Sequence, residues 1–503
     1  MINDLVRYLI YSVSTALVLA GNIGRVRASN IGAVLRVLGY LAVAALLYDW
    51  YLETLPMVLL AVSIAVALMT TLYTSKYSLG KYGDTTLLPL VDFFTLSTAL
   101  VFTSRYLIEL IALWLVAEIL GFFVIVYDAM LGTNQRAWSA GLRFLVVSMV
   151  PADLSLLILL ALTGLNNSFS IPLNHLKIDL GSEILTALTM IGFMAKAAVA
   201  PLHFWLPDAH SIAPAPGSAV LSGLMVKMGI YGLARLVTMG TLNTGAAIAI
   251  CLIFGSLTAI YGGLQALVQS DIKRILAYST ISHTSTITIL LGLYMMSGSD
   301  TFFGAATIYA AAHAIYKASL FMDSGVVELL THTRTLERLG YVSRFLPGET
   351  LSALIAILSL VGVPPTLGFL SKLTLFMSLG THIPSSWVYL VITIIIAFEV
   401  VLSIGYSTRY LLAHMGNPSA RHEELNLSST RLTPYVLTLS ASSVILMFPV
   451  IIWVAPTVLA DFMTQFLVML TFFGAIFGIA GWVTYTILRR GRKDEVWLGG
   501  ARP

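Results

Sequence analysis

Lys196, Lys227, Lys317 and Lys372 each lie near the middle of a long apolar stretch. A cation at the centre of a bilayer costs roughly 2.5 to 3.5 kcal/mol on the lenient insertion scale, so four cost on the order of 10 to 14 kcal/mol. That rivals the net stability of a typical fold, about 5 to 15 kcal/mol. Such groups persist where they face a bundle interior and handle ions or protons. Other titratable residues keep the same company. Glu118 is central in LWLVAEILGFF, His283 lies in AYSTISHTSTIT, and His313 and Lys317 in AAHAIYKASLF are four residues apart on one helix face. Asp153, Asp323 and Glu399 sit in further apolar stretches and read either as interhelical hydrogen-bonding groups or as additional relay members. The chemistry this set suits is proton transfer by short hops. Burial favours a neutral amine over an ammonium, and a carboxylate beside it restores the charge. At about 4 Å and an effective dielectric near 20 that pairing is worth roughly 4 kcal/mol, more than the roughly 2.3 kcal/mol needed to move one charge through 100 mV.

The elements that must position these residues follow from composition. The chain has 503 residues, 58% of them hydrophobic and only 10% charged, with a mean hydropathy of +0.90. These values belong to an all-α, polytopic membrane protein forming a single membrane domain over 1–503. The single cysteine, Cys251, excludes a disulfide, a thiolate zinc site and a cysteine-held iron–sulfur cluster within the chain. No histidine pair with a carboxylate has metal-ligand spacing, and no phosphate-binding glycine loop or nucleic-acid motif occurs, so neither cofactor nor metal is expected. A haem between His283 and His313 would lack a second facing pair. An enzyme using His313 or His203 as a base would lack a nucleophile.

Reading at about 20 apolar residues per crossing predicts fifteen spans: 5–21, 31–48, 55–73, 87–102, 106–127, 141–162, 184–202, 219–237, 244–268, 275–294, 302–330, 351–379, 387–412, 435–452 and 462–488. The first is read as a retained helix, since no small-residue cleavage pattern follows it. Loops after odd-numbered spans then hold twenty of the 28 basic residues. The other side keeps Arg7, Arg105, Lys177 and Arg235, and the remaining four are the buried lysines. This asymmetry predicts a plasma-membrane protein with its N-terminus outside and its C-terminus in the cytoplasm. The loop 163–182 is expected to form a short cap. The terminal Arg489, Arg490, Arg492 and Lys493 suit anionic headgroups or a docking partner.

Two spans are interrupted. Pro201 and Pro207 break the seventh in AKAAVAPLHFWLPDAH, and Pro364 and Pro365 break the twelfth in LVGVPPTLGFLSKLTLF. Unpaired backbone at membrane depth is tolerated where it is buried in protein or lines a wet cavity. Lys196 precedes the first break and Lys372 follows the second. Two broken helices five spans apart predict inverted five-helix repeats over 87–237 and 244–412, with extra C-terminal helices and a tail over 435–503. Asp208 and His210, just past the first break, suit either loop-tying or a proton entrance.

The stretches FMAKAAVAPLHFWLPDAHSIAPAPGSAVLSGLMVKMGIYGLARL, QSDIKRILAYSTISH, HAIYKASLF and GVPPTLGFLSK, in that order, resemble the antiporter-like subunits shared by respiratory complex I, Mrp-type sodium/proton antiporters and membrane-bound hydrogenases. The resemblance covers roughly 87–412. It implies a proton-translocating, or sodium/proton-translocating, subunit without redox centres inside an oxidoreductase or Mrp-type complex. The implied partners are further antiporter-like subunits, a redox module in the hydrogenase or quinone-reductase branch, protons, possible sodium and lipid, with no nucleic acid. Under the resemblance Glu118 matches the family's fifth-helix glutamate and Lys196 its seventh-helix lysine. Lys227, His283 and His313 match the bridging groups, Lys317 a lysine present in some members, and Lys372 the terminal group. Asp153, Asp323 and Glu399 depart from the basic pattern, and 462–488 exceeds the usual fourteen-helix core. The wording HFWLPDAH and SGLMVKMGIYGLAR leans toward the hydrogenase or Mrp-like branch. The competing expectation, carried by the repeats and broken helices alone, is an independent secondary cation/proton antiporter.

Overall fold

The protein is seen in a computed structural model that describes residues 4–49, 53–166, 168–416 and 431–454. The expected span at 462–488 and the basic tail lie outside the described residues. The helices are α1 (Asp4–Ala20), α2 (Asn30–Ala44), α3 (Thr54–Tyr82), α4 (Leu87–Val101), α5 (Leu107–Ile125), α6 (Arg136–Leu165), α7 (Glu183–Lys196), α8 (Trp205–Ile212) and α9 (Ala215–Met239). They continue as α10 (Thr244–Val268), α11 (Ile272–Ser297), α12 (Asp300–Thr331), α13 (Pro347–Val361), α14 (Leu367–His382), α15 (Trp387–Met415), α16 (Thr433–Ile445) and α17 (Met447–Val454).

By length and composition, eight of the described helices can cross a membrane: α2 with the turn that follows it, α3, α5, α6, α9, α10, α15, and the stretch from Thr433 to Val450. The difference from fifteen has physical causes. Chain breaks leave α7, α8, α13 and α14 as short pieces. α11 and α12 are long enough at 26 and 32 residues, but serine, threonine, histidine and lysine dilute their apolar character.

The core is apolar, and unlike that of a water-soluble bundle the outer surface is apolar too. Leu142, Val146, Val150, Leu154 and Leu157 stand exposed on α6 at three- and four-residue spacing, whereas most serines and threonines of α11 are buried. An apolar stripe turned outward is what lipid solvates. α12 is the hub, packing on α3, α9, α11, α13, α14 and α16. Glycine permits the closest approaches, as between small residues in membrane helices generally: a Cβ at Gly229 of α9 would stand 2.3 Å from the Ala197 nitrogen at the end of α7.

One departure from all-helical structure occurs in the expected cap. Ile178–Leu180 (β1) pairs in parallel with Gly240–Leu242 (β2), tying the loop before α7 to the end of α9.

Charged residues gather at the two ends. At one end Arg7 meets Glu109 at 2.6 Å, Arg105 meets Asp4 at 2.6 Å and Asp49 at 3.4 Å, and Arg235 meets Glu53 at 2.6 Å. At the other, Asp208 pairs with Arg143 and Arg274, Asp271 with Arg334, and Glu328 with Lys81 and Lys273. A further pair lies among the first four helices, where Arg36 Nε is 3.3 Å from Asp92 and Asn22 donates to the same carboxylate at 2.9 Å.

Candidate functional site

α7 ends at Lys196 itself, and the chain resumes as a helix only at Trp205. Pro201 lies in the gap, but Pro207 occupies the first turn of α8, where a missing N–H costs no intrahelical bond. The break therefore belongs to 197–204 and not to Pro207. The Trp205 indole nitrogen donates to the Ala195 carbonyl at 2.9 Å and pins the resumed helix back onto the end of α7. In the twelfth span the gap between α13 and α14 contains Pro364 and Pro365, and the Thr366 hydroxyl restarts the helix by accepting from the Phe369 amide. Gly362 there has φ +89, and a Cβ would strike the Lys372 side chain at 2.6 Å, so glycine answers both the backbone angle and the lysine's path.

All four expected lysines point inward: Lys196, Lys227 and Lys317 are fully buried, and Lys372 is 7% exposed. Lys196 Nζ lies 2.6 Å from Glu118 Oε1, both groups being wholly buried. It is a buried ion pair, and Glu118 also interacts with Asp153. The Phe144 ring closes one side, its centroid 4.6 Å from Nζ. Asp153 of α6 faces Glu118 from the other side and is half-buried, with one oxygen unpartnered.

Next along the bundle, Lys227 of α9 donates to the Ser222 carbonyl at 2.7 Å and contacts His313 Nδ1 on α12. A π-helical turn over Leu221–Met225 exposes that carbonyl just before Lys227. The His313 ring stands 5.9 Å from His283, centroid to centroid. His283 Nδ1 is 2.6 Å from the Tyr309 hydroxyl and 3.2 Å from Glu399 Oε1, and the Tyr406 hydroxyl lies 2.9 Å from Nε2. Glu399 in turn faces Lys372, whose Nζ donates to the Val361 carbonyl at the lip of the α13 break, 2.9 Å away. One series thus runs Lys227, His313, His283, Glu399, Lys372.

Two expected residues stand off this line. Lys317 is held by the Leu276 carbonyl at 3.2 Å and by the Ser279 hydroxyl. Asp323 meets Tyr410, His414 and Glu349 instead. Asp208, in the first turn of α8, ties α6 and α11 through Arg143 and Arg274 instead of tying loops, while His210 is buried, stacked on Phe321 at 4.5 Å with both ring nitrogens unpartnered. Among the described residues no cluster of three or more His, Cys, Asp or Glu side chains could hold a metal ion.

Sequence reasoning missed Tyr309, Tyr406, Tyr410, His414 and Glu349. Part of the signal was present: Tyr309, His313 and Lys317 recur every four residues, and Glu399, Ser403, Tyr406, Tyr410 and His414 form a polar stripe down the otherwise apolar α15.

Residues 108–403 match the model of the NADH:quinone oxidoreductase/Mrp antiporter transmembrane family. The chain belongs to that family. Among its relatives, the Na(+)/H(+) antiporter subunit A1 of Staphylococcus haemolyticus is 30% identical over 411 residues, which are 75% of this chain and 49% of that protein. Hydrogenase-4 component B of Escherichia coli K12 is 35% identical over 195 residues, 37% of this chain and 29% of that one. The match therefore spans less than half of either relative. In fold, the chain is similar to a chain of the membrane-bound sulfane sulfur reductase, an archaeal respiratory membrane complex, with a TM-score of 0.73 at 22% identity, covering 87% of this chain and 75% of that one.

Proposed function

We propose that this family member translocates protons, or exchanges sodium for protons, as a subunit of a multisubunit membrane complex. The observation that carries the reading is the Lys196–Glu118 ion pair of 2.6 Å, wholly buried, at the residue where α7 ends. A pair needed only for rigidity gains from being saturated with hydrogen bonds, since its desolvation is otherwise uncompensated. A pair that must exchange a proton gains from a hinge close by that lets the two groups part.

In this reading Lys196 takes a proton when Glu118 is near and releases it toward Lys227 when the two separate. α7 and α9 touch at Gly229, two residues beyond Lys227. His313 receives the proton at Nδ1. His283 passes it on by accepting at one ring nitrogen and releasing from the other, with Tyr309 and Tyr406 holding the ring, and Glu399 and Lys372 end the line. Asp153, Lys317 and Asp323 are side stations. The first half-unit would be 87–237, the second its inverted counterpart at 244–412, and 435–503 the remaining helices and tail. The N-terminus would lie outside and the C-terminus in the cytoplasm of the plasma membrane. The names of the relatives, an antiporter subunit and a hydrogenase component, support partners of those kinds.

The alternative is an independent cation/proton antiporter. The full-length chain carrying an affinity tag is purified from native membranes and reconstituted with a pH-sensitive dye. The proposal expects co-purifying membrane subunits and no exchange by the isolated chain. A single polypeptide with full exchange activity would overturn the complex.

A further inference from the structure

The second half holds a buried carboxyl pair off the line from Lys227 to Lys372. Asp323 lies six residues beyond Lys317 on α12, about 9 Å further along the helix axis at 1.5 Å per residue. It sits between the lysine and the Glu328 ion pairs at the end of the bundle. Glu349, in the first turn of α13, faces it, and both carboxyls are fully buried.

The hydrogen bonds distinguish the two acids. Asp323 Oδ2 is 2.5 Å from the Tyr410 hydroxyl and 3.1 Å from His414 Nε2. The Thr350 hydroxyl donates to the Leu346 carbonyl and lies 3.4 Å from His414 Nδ1. Asp323 Oδ2 thus accepts from the Tyr410 hydroxyl and faces the His414 ring. Its other oxygen, Oδ1, has no partner outside the pair, and Glu349 has only Asp323 and the Thr433 hydroxyl beside it. Around the pair stand Tyr73 from α3, Tyr410 and His414 from α15 and Thr433 from α16, with Glu328 of α12 beyond Tyr73. Among the described residues neither carboxylate forms an ion pair with a lysine or arginine. Two like charges in contact and out of water cannot both ionise.

We propose that Asp323 and Glu349 form a proton-storing site, with one proton resident on Glu349 and donated to Asp323 Oδ1. A single proton joins Asp323 Oδ1 to one Glu349 oxygen, the Thr433 hydroxyl serves the other, and one net charge remains, which Tyr410 and His414 solvate. The site does not rest on the relay, because the pair would hold its proton in a chain that transports nothing.

The test is infrared spectroscopy of the complex containing the full chain, as wild-type-minus-variant differences in light and heavy water. A protonated, buried carboxyl gives a C=O stretch separate from the amide and carboxylate bands. Glu349→Gln keeps shape and donor, and should abolish one such band. Glu118→Gln should leave that band in place. Tyr410→Phe, which strips one donor from Asp323 without touching Glu349, should shift the band without removing it. No band lost in Glu349→Gln, or no shift in Tyr410→Phe, overturns the assignment. So does a wild-type band that vanishes when sodium replaces choline at fixed ionic strength, since the occupant would then be a sodium ion.

Discussion

Replacing Glu118 by glutamine tests the relay at its strongest contact. The side chain keeps its shape and loses only the charge that faces Lys196 at 2.6 Å. At an effective dielectric near 20 the attraction lost is roughly 6 kcal/mol. If half of it is recovered by relaxation and water, about 3 kcal/mol remains, a factor of about 150 in the rate of any step that depends on it. It also exceeds the roughly 2.3 kcal/mol needed to move one charge against 100 mV. The lysine can shed its proton when its partner is neutralised, so the variant should fold and co-purify at wild-type levels. Dye-reported proton uptake by vesicles holding the complex should fall on the order of a hundredfold. Lys196→Met should fall comparably, and the double variant should be no worse than either single one, because both remove the same interaction. Wild-type uptake by Glu118→Gln, with the mutant chain verified in the vesicles, would refute the role of the pair. Additive losses in the double variant would show that the two residues act separately.

Tyr406→Phe removes the hydroxyl 2.9 Å from His283 Nε2 and leaves a buried nitrogen unpaired, a cost of about 1 to 3 kcal/mol. Proton uptake should drop about tenfold or more while co-purification is unchanged, and an unaltered rate would remove Tyr406 from the path. Gly229→Ala places a methyl group 2.3 Å from the Ala197 nitrogen. It should lower stability by about 1 to 3 kcal/mol, read as a reduced thermal midpoint in detergent, and an unchanged midpoint would show that α9 and α7 are not tightly apposed. Asp92→Asn leaves Arg36 buried without its counter-charge, at about 3 to 5 kcal/mol. The midpoint should fall, but uptake per assembled molecule should not, because this pair belongs to the packing of the first four helices.

The helices were legible because lipid-facing residues must be apolar and loops need not be, and boundaries such as those of Thr244–Val268 followed directly. The lysines were legible because a cation in an apolar run is costly and persists chiefly where it handles charge. What stayed hidden were partners that look ordinary in sequence. A tyrosine in a membrane helix suits an interface or a core, and only its register with Glu399 on α15 marks Tyr406 as a partner of His283. Glu349 was overlooked because it opens a helix beside a proline, where an acid is commonplace at the positive end of the helix dipole; tertiary packing, not local sequence, buries it against Asp323. Pro207 misled for the converse reason, since proline in a first turn starts a helix as readily as proline elsewhere ends one.

The division of labour between arginine and lysine ties these observations together. A guanidinium keeps its proton under all ordinary conditions, whereas an ammonium can give one up when desolvated. Arg7, Arg105, Arg235, Arg274 and Arg334 stand in ion pairs at the two ends, and Arg36 holds the first four helices together. The interior line contains lysine, histidine and glutamate, the residue types that can change charge there. Lys81 and Lys273 follow the arginine pattern, since both sit on Glu328 at one end. Lys273 is a buried lysine held by a carboxylate; among the described residues Lys227, Lys317 and Lys372 have no carboxylate within ion-pair distance, and a merely structural role there would be better served by arginine's planar fork and weaker hydration. The choice of the residue that can lose its proton, at four buried positions beside broken backbone and histidines, is what a moving proton requires and a static scaffold does not.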